Sequence, residues 1–151
     1  MTAKKETTSP SLQAMNHLIA TYTVASQNAR ICHWNVIGPV FEDNHEIFGD
    51  LYDELSEQVD VFAEQVRILG EYPMSKLSEY LKESRIGEYS LPMSAADMQK
   101  AMVQDLRHIS DEMTRLIAST DEDAATQDHI VSAKQQIDKK IWMLRAMLGQ
   151  K

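Results

Sequence analysis

The chain is poor in the residues that build turns, covalent staples and membrane spans. Among 151 residues there are five glycines, four prolines and one cysteine, Cys32. With so few chain-breakers, long helices are easier to assemble than many short strands joined by turns. A lone cysteine excludes an intrachain disulfide framework and suits a reducing compartment. No run of about 18 apolar residues occurs, so no segment reads as a transmembrane helix. Residues 1–11 are polar and lack the apolar core of a secretory signal, which makes the cytoplasm the expected location. Positive charge is also short: 15 Lys and Arg against 23 Asp and Glu leave a net charge of −8. General affinity for nucleic-acid phosphates is therefore not expected, whereas attraction of cations is.

What is present is an ordinary globular composition, 43% hydrophobic and 25% charged. A chain of this length builds one domain with a real core. Residues 1–9 read as a short flexible tail and residues 10–151 as the domain. Apolar residues recur at three- and four-residue steps from Leu12 to Ala29, predicting a first helix that ends near Val36. Gly38 and Pro39 break it. A second helix carries Phe41, Phe48, Leu51, Tyr52, Leu55, Val59, Phe62, Val66 and Leu69, and Gly70 closes it. Residues 71–93 lack this seam, although residues 75–81 suit a short helix within a crossover connection. Ser94 and Asp97 resemble a capping box ahead of a third helix bearing Met98, Met102, Leu106, Ile109, Met113 and Leu116. After a break near Ser119, a fourth carries Ile130, Ala133, Ile137, Ile141, Leu144 and Leu148, with Asp121, Glu122 and Asp123 suiting its N-terminus. The expected fold is all-α: a four-helix bundle with a long crossover between helices two and three, the ferritin-like arrangement.

The chemistry concentrates in His33-Trp34-Asn35-Val36-x-Gly38-x-x-Phe41-x-x-x-His45, followed by Asp60-x-x-x-Glu64. Imidazoles with carboxylates suit divalent iron or zinc. His45 and Asp60 share one predicted helix, so at a rise of about 1.5 Å per residue they stand roughly 22 Å apart. No single ion bridges that distance. On a helical wheel centred on Val59, His45 falls near 40°, at the edge of the apolar stripe, with Asp60 near 100° and Glu64 near 140° on its flank. Pairing this helix antiparallel with its own copy across a two-fold axis brings His45 of one chain toward Asp60 and Glu64 of the other. His33 joins His45 where Gly38-Pro39 turns the chain back. From spacing alone, both patterns also have ordinary explanations: a packed histidine and a solvated acidic face. A rival arrangement, a di-iron site inside one bundle, needs paired Glu-x-x-His motifs. Only Glu42-x-x-His45 and Asp105-x-x-His108 approach that, and the first helix seam offers no carboxylate.

The long histidine block resembles the mini-ferritins of the DNA-protection-during-starvation (Dps) family. The likeness continues through Asp60-x-x-Ala63-Glu64, Leu69-Gly70-x-x-Pro73 and Asp138-Lys139-Lys140-Ile141-Trp142-Met143-Leu144-Arg145-Ala146. It implies a hollow shell of twelve identical subunits with ferroxidase sites at two-fold interfaces. By resemblance His33, His45, Asp60 and Glu64 are iron ligands, and Trp34 is similar to the family's Trp near the site, which suits either an electron relay or an aromatic anchor at the helix end. Iron(II) is oxidised, preferentially with hydrogen peroxide rather than oxygen, and iron(III) mineral is stored inside. Zinc is a competitor for the same ligands. The family's iron-entry pores imply Asp128, with Asp121 and Asp123 as neighbouring candidates that also suit helix capping; His129 faces either the pore or solvent.

One departure stands out. The family usually has Asp four residues after the second His, where this chain has Gly49. Asp53 and Glu46 lie on that side and are candidate replacements. A helical Gly costs about 1 kcal/mol relative to Ala, which hints at a packing reason. Two alternatives to a ferroxidase remain: a DNA-compacting shell, and a shell or zinc binder whose catalysis is weakened at Gly49. The first is disfavoured because the tail offers only Lys4 and Lys5 against Glu6, and Gln150-Lys151 is no basic extension. His17 and His108 give no signal.

Overall fold

The computed structural model describes residues 8–151, and the reading of the tail residues 1–7, with Lys4 and Lys5, lies outside them. Ser9, assigned above to the tail, is instead the cap of the first helix: its hydroxyl accepts from Leu12 N at 3.2 Å, and Pro10 opens the first turn where its missing N–H costs nothing. Helix α1 then runs Pro10–Asn35, and α2 runs Phe41–Ile68. Gly38, at φ +119°, makes the turn between them in a conformation that favours glycine. Pro39 falls within that turn, and Val40 precedes the helix, so α2 opens two residues beyond the proline. A short helix α3, Leu77–Glu83, lies in the crossover. Helix α4 spans Ala95–Ser119, capped by the Ser94 hydroxyl accepting from Asp97 N at 3.0 Å, and α5 spans Ala124–Met147. No strand occurs among the described residues.

The long helices pack as two pairs, α1 with α2 and α4 with α5, and α1 also contacts α3 and α4. Helix α1 is buried on nearly every side, including polar Thr21, Ser26 and Asn28. The core is built from Met15, Leu18, Ile19, Tyr22, Phe48, Leu51, Leu55, Phe62, Met98, Met102, Leu106 and Ile109, all fully buried. Tyr22 meets Phe62 edge-on with centroids 5.1 Å apart, a favoured aromatic geometry.

Polar groups on α1 anchor the crossover. Asn16 Oδ1 accepts from Met74 N at 2.8 Å, while buried Asn28 donates to the Gly87 carbonyl at 2.8 Å and accepts from Tyr89 N at 3.0 Å. The Tyr89 hydroxyl donates to Asp105 of α4 at 2.7 Å. These bonds give backbone groups of the connection partners on α1. They hold the long crossover against α1, leaving the other flank of α2 uncovered.

Candidate metal centre

The junction of α1 and α2 brings His33 and His45 together. Their rings stack with centroids 3.7 Å apart and planes 17° from parallel. Each ring bonds the other residue's backbone: His33 Nδ1 to the His45 carbonyl at 2.6 Å, and His45 Nδ1 to the His33 carbonyl at 2.8 Å. A carbonyl oxygen only accepts, so both Nδ1 atoms carry the proton when the rings are neutral. Both Nε2 atoms then present lone pairs. Fixing the tautomer through the far nitrogen is how proteins prepare a metal-binding histidine. Phe41 stacks on His45 at 5.1 Å, and Tyr52 meets His33 edge-on at 5.3 Å. Phe41, expected in the core seam, is instead 42% exposed and belongs to this aromatic collar. Arg30 lies over the Tyr52 ring at 5.1 Å.

Asp60 and Glu64 sit further along α2, both exposed, on a flank that no element of the same chain covers. Among the described residues, no three His, Cys, Asp or Glu side chains of one chain converge on a common ion position. The rival intra-bundle arrangement fails for the same reason. Glu42 and His108 point to solvent, and Asp105 is engaged by Tyr89 and Asn28. Burial pushes the Asp105 carboxyl above its ordinary range, against those two hydrogen bonds.

Comparison with known proteins shows the family. The ferritin-like domain family matches residues 12–151. A DNA protection during starvation protein of Listeria innocua is 34% identical over 140 residues, covering 90% of each chain. The chain belongs to the Dps mini-ferritin family. The crystal structure of Dps from Staphylococcus aureus superposes with a TM-score of 0.90 at 30% identity, covering 93% of this chain and 96% of that one. A structure of Listeria innocua Dps soaked with cobalt gives 0.88 at 32% identity, covering 96% and 95%.

The remaining family positions divide. Trp34 is 64% exposed at the end of α1, and Glu46 and Asp53 are exposed on α2. Asp121 and Asp128 are exposed and His129 half-buried. Asp123 caps α5: its carboxylate accepts from Thr126 N at 3.1 Å, and bonding to Thr126 holds it below the ordinary range. Gly49 is explained by packing, because a Cβ there would stand 3.0 Å from both Cε1 and Nδ1 of His33.

Sequence reading missed His17, which is buried between two acids. Its Nδ1 is 3.7 Å from Glu83 of α3 and its Nε2 3.9 Å from Glu112 of α4. Burial lowers its pKa despite those carboxylates. No local signal marks it, since α1 is apolar around it on several faces.

Proposed function

We propose that this protein oxidises iron(II) at sites shared by two subunits and stores iron(III) mineral within a twelve-subunit shell. The family as a whole serves iron storage and protection; the ligand set, the oxidant and the assembly are our reading. The observation that supports it most is the reciprocal histidine clamp, which frees two Nε2 lone pairs. His33 and His45 of one subunit, with Asp60 and Glu64 of its two-fold mate, make a mixed imidazole and carboxylate set suited to iron(II). The same set accepts zinc, a competitor rather than a substrate.

In this reading the protein holds iron(II) with open coordination positions beside the oxidant. One hydrogen peroxide takes one electron from each of two iron(II) ions and two protons, giving two waters and two iron(III). Pairing the electrons avoids releasing hydroxyl radical. Trp34 stands near the clamp as an electron relay. Asp128, with Asp121, lines the entry pore for iron(II), and Asp123 contributes charge there while capping α5. Glu46 and Asp53 are the candidate carboxylates on the Gly49 side of α2. The net charge of −8 draws in cations and makes direct DNA binding at physiological salt unexpected. No helix among the described residues is long and apolar enough to cross a membrane, and a reducing cytoplasm suits the lone, buried Cys32.

The test is iron(II) oxidation followed optically with peroxide and with oxygen, wild type beside a His45→Ala/Asp60→Ala double variant. Wild type is expected to be fast, faster with peroxide, and the variant to fall to the uncatalysed rate. Equal rates for both proteins would remove the site assignment.

A further inference from the structure

We infer that Gly49 is a positioning residue for His33, and that a carboxylate at position 49 would weaken metal binding here rather than complete it. The inference rests on the interfacial site proposed above. It starts from a distance. A Cβ at position 49 would lie 3.0 Å from Cε1 and 3.0 Å from Nδ1 of His33. Ordinary carbon contacts are about 3.5–4.0 Å, so the ring would have to give by a few tenths of an ångström.

The ring has little freedom to do so. Its Nδ1 is held by the His45 carbonyl at 2.6 Å, one face lies against His45 at 3.7 Å, and the Tyr52 ring meets it edge-on at 5.3 Å. The His45 ring is tied in turn to the His33 carbonyl at 2.8 Å. Retreat therefore lengthens the bond that fixes the His33 tautomer and disturbs the stack that aligns both rings. The absent side chain lets the imidazole seat directly against the α2 backbone. This also accounts for a glycine inside a helix, where Ala would be favoured by about 1 kcal/mol. Asp at 49 would bring the same Cβ contact with the His33 ring.

Cobalt(II) is a suitable probe, since imidazole and carboxylate accept it and peroxide is not needed. Titration of the assembled, iron-free protein is expected to give a cobalt affinity about 10- to 100-fold lower for both Gly49→Ala and Gly49→Asp, the range for losing a group that orients a ligand. The visible cobalt spectrum should change in both. Crystals of metal-free Gly49→Ala should show the His33 ring displaced from its seat. Thermal melting of metal-free Gly49→Ala should be unchanged or higher, which separates positioning from general damage. A Gly49→Asp variant that binds cobalt as tightly as wild type, or takes a second equivalent per subunit, overturns the inference. His45→Ala runs alongside: if it keeps wild-type cobalt affinity, the fault lies in the interfacial reading beneath.

Discussion

Helix α2 contributes to both halves of the candidate site, with His33 of α1 joining the first, and its two regions are built differently. Near its start, His45 is fixed within one chain by a ring stack, two carbonyl bonds and an aromatic collar. Four turns later, Asp60 and Glu64 stand exposed on a bare flank. The imidazole half is preorganised by folding. In the proposed assembly the carboxylate half gains its surroundings only when a second chain arrives. The contrast follows from chemistry. Neutral imidazole tolerates partial burial once its N–H is satisfied, whereas two neighbouring carboxylates stay hydrated until a cation compensates them.

The strongest way to break this comparison is subunit mixing. His45→Ala and Asp60→Ala homo-assemblies are each expected to lose initial iron(II) oxidation by about 100-fold or more, beyond the loss from an orienting partner. Refolded together, they should recover roughly a quarter of wild-type activity, because random pairing rebuilds one intact site in every hetero-dimer. No recovery would mean that both halves act within one chain.

A smaller effect separates the halves without metal. His33→Ala should lower the stability of the metal-free protein by about 1 kcal/mol, the worth of its carbonyl bond. Asp60→Ala should stay within about 0.5 kcal/mol, as an exposed substitution does. Urea midpoints measure both, and equal losses would mean that the carboxylate flank is already engaged before metal binds.

His17 sharpens the contrast from within the same α1 helix, because it is buried among acids and far from the clamp in sequence. Burial lowers its pKa in the fold. The unfolded chain, near its ordinary value of about 6.5, takes up the proton first. Stability is therefore complete above about pH 6.5 and falls as pH drops through that value toward the folded pKa. Melting temperatures from pH 7.5 to 5 should decline in wild type and less steeply in His17→Gln. Cobalt affinity at pH 7.5 should be the same in both.

The smallest expected effect concerns Cys32, one residue before His33. Burial, with the Asp105 charge adding to it, pushes the thiol up to about 12. A thiol-specific reagent at pH 8 should label it only after denaturant is added. Rapid labelling of the folded protein would mean that the end of α1 opens, and that the clamp is less rigid than its bonds imply.

Much of this was legible in the chain. The helices followed from periodicity, and Ser94 and Gly38 acted at the positions their chemistry suggested. The distance between His45 and Asp60 left two readings, unrelated halves or a second copy of the chain supplying the missing ligands. Less legible was everything set by contact between elements. Phe41 read as a core residue because it continues the α2 stripe, yet it is partly exposed and its ring stacks on His45. Asp105 next to a histidine motif suggested a ligand, and the Tyr89 and Asn28 partners that engage it come from the crossover and from α1.

By itself the sequence determined the number and lengths of the long helices, their apolar faces and the net acidic charge, and it singled out the candidate metal-seeking side chains. Each of these depends on neighbours within a turn or two, where periodicity and backbone preference decide. Only the tertiary structure decided how the side chains are held. The reciprocal carbonyl bonds join residues twelve positions apart, and the space that requires glycine at 49 exists because a ring from another helix occupies it. Such features depend on how helices meet, a balance of packing and satisfied hydrogen bonds across the whole chain.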